Sequence, residues 1–250
     1  MRRIQRAYEN RFRALAETLG ARRPEKALAW FRRRAKAKAA GSRGPEWRGW
    51  EEAWREAQAR ANRSPRRAGR FQERPPLRPE ETRFRCDAGL GGLARWLRAG
   101  GYPAEWSPEM DDEELVRRAM AEEAVLATTD SLLMERRLVR DGWVCALWLP
   151  PALSPAQQLA RTLSELGLPL LPPRCMRCGG RLVRRSKQEL ADRIPPRTFR
   201  WLEEFFVCEG CGGLFWKGTH WQRIERALAE AASLRDQRAA PPLRPPESEE

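Results

Sequence analysis

The sequence predicts an α/β protein in which a parallel sheet flanked by helices is followed by a small zinc module. Short apolar runs alternate with helical segments over residues 84–166, which is typical of β–α units. Two C-x-x-C-G-G segments begin at Cys175 and Cys208, 33 residues apart. Charge is uneven, because residues 1–83 contain 24 Lys and Arg against 10 Asp and Glu, whereas the remaining residues contain 24 of each.

The first third of the chain reads as basic helices followed by a linker. Helical spacing of apolar residues predicts three helices, over residues 2–19, 24–39 and 46–61. The third helix places Trp47, Trp50 and Trp54 on one face, which either docks on the rest of the protein or stacks on bases. The prolines that follow predict a linker over residues 62–83.

The middle of the chain carries the predicted sheet. Four strands are expected, over residues 84–86, 102–106, 125–129 and 143–149. Helices are expected between and after them, over residues 90–99, 111–122, 131–141 and 154–166. A further helix is expected between the two cysteine pairs, over residues 187–193. Thr219 is expected to cap a last helix that runs to about residue 234, before a proline-containing, disordered tail.

These elements predict four regions. A basic, Arg/Trp-rich helical extension with its linker spans residues 1–83, and the α/β domain spans residues 84–173. The zinc module spans residues 174–222, and the last helix with its tail spans residues 223–250.

The two cysteine pairs predict a metal site. A C-x-x-C turn points two thiolates at one centre, so Cys175, Cys178, Cys208 and Cys211 suit a tetrahedral zinc ion. The doubled glycines allow the backbone to turn tightly around the sulfurs. Four thiolates leave no open position, so this zinc would be structural. The alternative is a set of unrelated buried or disulfide-bonded cysteines.

Three acids are expected at one edge of the sheet. Asp87 follows the first strand, Asp130 follows the third, and Asp112 opens the helix after the second, with Asp111 as the alternative to Asp112. Functional groups gather beyond the carboxyl ends of parallel strands, and these acids would converge if strands one and three are neighbours. Such a cluster suits Mg²⁺ or Mn²⁺. The alternative is that Asp112 and Asp130 only cap or complement helices.

Two other features are ambiguous. Residues 89–94 fit G-x-G-x-x-A after a strand, the pattern of a dinucleotide-binding turn, although Asp87 would repel the phosphates. The alternative is that these glycines let the helix pack close to the sheet. His220 reads as a structural histidine at a helix start or as a proton donor or RNA contact.

Composition limits the classes of partner and the cellular location that we expect for the protein. The basic first third suggests a polyanion, most often nucleic acid, or else a solvated basic extension without a dedicated ligand. No apolar run reaches the ~18 residues of a membrane span, and no apolar segment typical of a secretory signal follows the first residues. Cysteines spaced for zinc suggest a reducing compartment, so a cytoplasmic location is expected.

Several of these motifs together resemble a known family. They are the segment from Asp87 to Arg98, the run from Asp111 to Leu115, Thr128-Thr129-Asp130, both cysteine pairs, and residues 218–221. The chain resembles the Mut-seven C-terminal RNase domain family, a PIN-like RNase domain with an attached zinc ribbon, over about residues 84–222. The family usually carries Arg at the position of Thr129 and Gly at the position of Ala88.

The resemblance implies a PIN-like α/β fold, divalent-metal-dependent RNA cleavage and a zinc ribbon that helps to hold RNA. The family's acids map onto Asp87, Asp112 and Asp130. Arg95 and Arg98, on the helix after the first acid, are candidate phosphate contacts or a solvated helix face. The leading hypothesis is therefore an endoribonuclease. The alternatives are a non-catalytic RNA-binding or ribonucleoprotein-associated module with vestigial acids, and a nucleotide-binding enzyme that uses the glycine turn.

Overall fold

The computed structural model describes residues 1–42, 44–62 and 77–239. Its helices are α1 (Arg2–Thr18), α2 (Pro24–Gly41), α3 (Trp47–Asn62), α4 (Gly91–Ala99), α5 (Asp112–Ala121), α6 (Arg137–Arg140), α7 (Pro155–Leu166), α8 (Pro196–Trp201) and α9 (Thr219–Ala239). Its strands are β1 (Phe84–Cys86), β2 (Ala104–Trp106), β3 (Val125–Thr128), β4 (Ala146–Trp148), β5 (Leu182–Arg185), β6 (Phe205–Cys208) and β7 (Leu214–Trp216).

The strands form two sheets. The first four make a parallel sheet in the order β2-β1-β3-β4, and the last three make an antiparallel sheet in the order β5-β6-β7. Because β1 and β3 are neighbours, their carboxyl ends meet at one edge. The backbone amide of Asp87 donates to the carbonyl of Ala127 at 3.0 Å across this pair. The predicted fold class, a helix-flanked parallel sheet followed by a cysteine-rich module, is confirmed.

The chain divides into two compact units. One unit holds the three N-terminal helices together with residues 85–90 and 107–153. The other holds residues 77–84, residues 91–106 and the described residues from 154 onwards. The domain boundaries inferred from the sequence stay a prediction.

The N-terminal helices belong to an aromatic core in the first unit. Trp50 is fully buried and Trp54 is 2% exposed, and Phe12 stacks on Phe31 with ring centroids 4.4 Å apart. Tyr8 of α1 meets Trp148 of β4 edge-on at 5.1 Å. Trp50 and Trp54 therefore dock on the protein and are too buried to stack on bases.

Two predicted helices are wrong in detail. Residues 187–193 form turns with i→i+3 backbone hydrogen bonds, such as Arg193 N to Leu190 O at 2.9 Å, and the helix lies instead at α8. Pro196 begins α8, because its fixed φ suits the first helical position. The helix expected over residues 131–141 is split by Arg136, whose φ of −59° and ψ of 138° are extended.

Local signals account for the helix that follows β4. Ser154 accepts from the amide of Gln157, and the Gln157 side chain accepts from the amide of Ser154, which together make a capping box at the start of α7. Gly167 ends the helix with a φ of +65°. Most of the predicted linker and the tail beyond α9 lie outside the described residues. Within the described residues, none of the helices combines the length and apolar character needed to span a bilayer.

Candidate active site and metal centre

The four predicted cysteines meet at one point. The sulfurs of Cys175, Cys178, Cys208 and Cys211 all lie within 4.8 Å of one another. The Sγ atoms of Cys175 and Cys211 are 3.7 Å apart, and those of Cys178 and Cys208 are 3.4 Å apart. A zinc tetrahedron with Zn–S bonds of about 2.3 Å has edges of about 3.8 Å, so the group fits such an ion.

Each C-x-x-C-G-G segment forms a turn, called a cysteine knuckle below, and the first glycine of the pair has the same role in both knuckles. Gly179 and Gly212 have positive φ angles of +79° and +65°, and their amides donate to the carbonyls of Cys175 and Cys208. A Cβ on Gly180 would lie 2.7 Å from the sulfur of Cys208. The first glycine of each pair therefore makes the turn, and Gly180 in addition keeps the sulfur pocket open.

The electrostatics of the thiols also suit a cation. Burial raises the pKa of the Cys175 thiol to about 12. Burial opposes ionisation of Cys208 as well, but hydrogen bonds from the Cys211 amide and the Cys178 thiol outweigh it and lower the pKa of Cys208 to about 7. Four adjacent thiolates therefore need a positive ion to stabilise them.

Asp87 is tied to the neighbouring strand. It is 7% exposed, and its Oδ2 accepts from the Thr128 hydroxyl at 2.6 Å and the Thr129 amide at 2.7 Å. Its Oδ1 accepts from the Gly89 amide at 3.0 Å. These donors hold the carboxylate at the edge where β1 and β3 end.

Asp130 is connected to Asp87 through one hydroxyl. The Thr128 Oγ1 that donates to Asp87 accepts from the amide of Asp130 at 2.9 Å. The Asp130 side chain is exposed, and its Oδ1 accepts from the Leu132 amide. Its Oδ2 has no hydrogen-bond partner among the described residues.

The second acid lies at the start of α5. Asp111 caps this helix, because its side chain accepts from the Glu114 amide at 2.9 Å. Asp112, the first helical residue, lies 3.5 Å from the Arg136 guanidinium. Asp111 is thus committed to the cap, whereas Asp112 is half-exposed beside a cation.

The three acids are chemically suited to a divalent ion, but their carboxylates do not form a group of three closely spaced ligand atoms. In the described part of the chain, the cysteines form the only group of three or more Cys, His, Asp or Glu ligand atoms close enough to hold a metal. Magnesium, however, is commonly held by one or two carboxylates with waters and substrate phosphates. The assignment of all three acids as ligands of such an ion stays a prediction.

Sequence reasoning missed three polar residues near this edge. Thr128 bridges Asp87 and Asp130, and its signal was a hydroxyl at the end of a buried strand, two residues before an acid. Glu135 lies near Asp130, and burial raises its pKa; the attraction of Arg11 and Arg13 opposes this shift, and repulsion from Glu17 and Asp130 adds to it. Asn10 of α1 donates to the Ser131 hydroxyl at 3.3 Å, a long-range contact without a sequence signal.

The two candidate phosphate contacts differ. Arg95 is exposed and makes no hydrogen bond or ion pair with the described residues. Arg98 donates from Nε to the carbonyl of Ala104 at 2.8 Å, and from Nη1 to the carbonyls of Met176 and Arg177 at 3.1 and 2.8 Å. Arg98 thus joins α4 to the first cysteine knuckle, which gives it a structural contact that Arg95 lacks.

The first glycine of the turn does not offer a free amide to a pyrophosphate. The Gly89 amide is already donated to Asp87, and a Cβ on Gly91 would lie 2.7 Å from the Trp106 ring. These contacts favour the interpretation in which the glycines allow close packing. His220 is exposed in the first turn of α9 and lines a largely apolar cavity of about 540 Å³ with Trp216 and Trp221.

Comparison with known proteins gives one match. A family model described as "Mut7-C RNAse domain" matches residues 82–228, more than half of the chain. The matched span contains the three acids and both cysteine knuckles, and its description indicates a ribonuclease-type function. No curated protein and no solved structure matches the chain.

Proposed function

Because the chain belongs to the Mut7-C RNAse domain family, we propose that it is a metal-dependent endoribonuclease that hydrolyses RNA phosphodiester bonds. Asp87, Asp112 and Asp130 are the proposed catalytic acids and ligands of Mg²⁺ or Mn²⁺. The observation that carries the proposal is the Thr128 hydroxyl, which donates to the carboxylate of Asp87 and accepts from the amide of Asp130. Two acids at neighbouring strand ends are thereby held in a common hydrogen-bond network.

Asp87, Asp130 and Arg95 have different proposed roles in the site. Asp87 is oriented by the Gly89 and Thr129 amides and by the Thr128 hydroxyl, so it offers a fixed carboxylate. Asp130 offers an exposed carboxylate oxygen, and Arg95 is the proposed phosphate contact. A divalent ion, when bound, would neutralise charge on the phosphate and make a water more acidic.

The cysteine module is proposed to bind one structural zinc ion and to assist RNA binding. A set of four thiolates favours zinc and leaves no position for substrate. Residues 174–222 carry ten Lys and Arg against five Asp and Glu, a net charge of +5. Together with the basic N-terminus, this charge should make RNA affinity fall steeply with salt.

Cleavage of defined RNAs in Mn²⁺ or Mg²⁺ by folded, zinc-loaded variants tests the function. Asp130→Asn is the sharper variant, because its exposed side chain makes one intrachain hydrogen bond, whereas Asp87→Asn also disturbs buried donors. We expect losses of about 100-fold or more in rate, from several kcal/mol of lost transition-state stabilisation. Asp141→Asn, an exposed acid paired with Arg140, is the matched control. Undiminished cleavage by both site variants would refute the assignment.

One observation favours a second candidate, a non-catalytic RNA-binding module. The Asp87 carboxylate is engaged by protein donors and Asp112 lies beside Arg136, an arrangement that purely structural acids also adopt. This candidate predicts that RNA binding survives EDTA mild enough to leave zinc in place, and that the wild-type protein cleaves no RNA with any divalent metal.

A further inference from the structure

Helix α1 lies beside the strand end that carries Asp130, although it is outside the family match. The Asn10 side chain contacts the hydroxyl of Ser131, the residue after Asp130, at 3.3 Å. Nearby, the Tyr8 ring packs edge-on against Trp148, whose Nε1 donates to the carbonyl of Thr129 at 3.2 Å. These contacts attach α1 to β3 and β4 at the edge where the candidate acids lie.

A stripe of arginines runs along the same face of α1. Arg3, Arg6 and Arg13 are seven, four and three residues from Asn10, spacings that share one face of a helix. Arg6 lies about 6 Å and Arg13 about 4.5 Å along the axis from Asn10, on opposite sides. Glu17 follows on the same face. Within the described residues, none of the three arginines makes a hydrogen bond or an ion pair within 4.0 Å.

Two arginines of α2, unlike those of the stripe, are paired with acids. Arg32 pairs with Glu9 at 2.6 Å, and Arg34 pairs with Glu56 at 2.9 Å. Several acids of the helical extension are thus already engaged, whereas the stripe arginines keep their guanidiniums available for a ligand. A guanidinium is suited to a phosphate because its planar set of donors can bind two oxygens at once.

Arg13 and Asp130 both act on the carboxyl of Glu135. Burial raises the pKa of Glu135, Arg13 lowers it and Asp130 raises it further. An RNA strand that approaches Asp130 meets carboxylates that repel its phosphates. Cations on the adjacent helix offset that repulsion.

We propose that the Asn10 face of α1, with Arg3, Arg6 and Arg13, is a binding site for the RNA backbone that orients the strand across Asp130. The proposal deepens the proposed function and rests on it. The basic extension then acts as part of the substrate site, attached through its aromatic core, and the site depends on residues that the family match does not include.

The test is a charge-matched comparison in the full-length protein. Arg6→Gln/Arg13→Gln removes two stripe cations, and Arg33→Gln/Lys36→Gln removes two cations from α2, whose buried residues are Leu28, Phe31 and Ala35. The probe is a fluorescein-labelled single-stranded RNA, followed by anisotropy in EDTA mild enough to retain zinc and by cleavage in Mn²⁺. None of these four side chains makes an ion pair with described residues, so the melting temperatures should stay equal.

We expect the stripe variant to bind RNA about ten-fold more weakly. Its slope of log affinity against log salt should be shallower by about 1.4, or about 0.7 for each lost contact to a single strand. The control should change affinity less than about two-fold. Equal binding and equal cleavage by the two variants would overturn the proposal. If the wild type cleaves nothing but the binding difference persists, the stripe is supported as an RNA site and the nuclease assignment fails instead.

Discussion

Replacing Arg98 distinguishes most directly between a structural role of this residue and a role as an RNA contact. Arg98→Met keeps the length and apolar stem of the side chain and removes the three hydrogen bonds that join α4 to Ala104 and to the first cysteine knuckle. Arg95→Met is the matched control, since Arg95 is exposed one turn earlier on α4. If Arg98 is an anchor, its loss destabilises the protein and loosens the knuckle.

The expected cost follows from the three acceptors. Ala104 is 3% exposed, so its carbonyl loses its donor in a buried site, at about 2 kcal/mol. The carbonyls of Met176 and Arg177 are nearer to solvent and can bind water instead, at about 0.5–1 kcal/mol each. The sum is about 3–4 kcal/mol. The backbone bond from the Arg174 amide to the Arg98 carbonyl, at 2.9 Å, remains in the variant.

Two measurements check this value. Urea denaturation gives the free energy of unfolding, and a chromogenic chelator gives the rate of zinc release at equal protein concentration. Arg98→Met should lose about 3–4 kcal/mol and release zinc faster, whereas Arg95→Met should match the wild type in both. Unchanged stability and zinc release with a loss of RNA cleavage in Arg98→Met would refute the reasoning and make Arg98 a phosphate contact.

Three further predictions concern the other clusters. Thr128→Val should cost about 2–3 kcal/mol in urea denaturation and lower RNA cleavage, because it breaks the bridge to Asp87, while Thr128→Ser should retain both properties. Cys178→Ser should abolish stoichiometric zinc by elemental analysis, and Cys145→Ser, outside the cluster, should keep about one zinc per chain; equal zinc in both would argue against the site. Trp50→Ala should cost about 3–5 kcal/mol, but Trp50→Phe much less, because the indole nitrogen is buried without a partner among the described residues; equal midpoints would contradict this.

Local patterns explain what the sequence could predict. The cysteine knuckles are set by residues within six positions of one another, so spacing alone located Cys175 and Cys208. The positions of Asp87 and Asp130 follow from the alternation of strands and helices, which places each acid after a strand. The choice between Asp111 and Asp112 needed the cap geometry itself, in which Asp111 accepts from the Glu114 amide.

Long-range contacts explain what it could not. The docking of Asn10 on Ser131 joins positions 121 residues apart, and no periodicity within α1 indicates which strand end the helix meets. The sequence alone does not distinguish Arg98 from a solvated arginine on a helix. Its structural role follows from its contacts with the carbonyls of the first cysteine knuckle. The helix expected over residues 187–193 failed because Leu190 and Ile194 turn inward to pack with Phe205, a tertiary contact that overrides local propensity.

The positive charge of the N-terminal helices complements the negative charge at the sheet edge that carries Asp87 and Asp130. A carboxylate pair at the ends of β1 and β3 repels a polyanionic substrate, so such a site requires cations nearby. The matched span carries Thr129 beside Asp130, and its hydroxyl lies 3.4 Å from Asp87 and supplies no charge. Helix α1 carries cations on the face that meets Ser131, and the burial of Tyr8 and Trp54 in the aromatic core sets which face that is. Removing the aromatic contacts should therefore weaken RNA binding as strongly as removing the arginines, even though no charge changes.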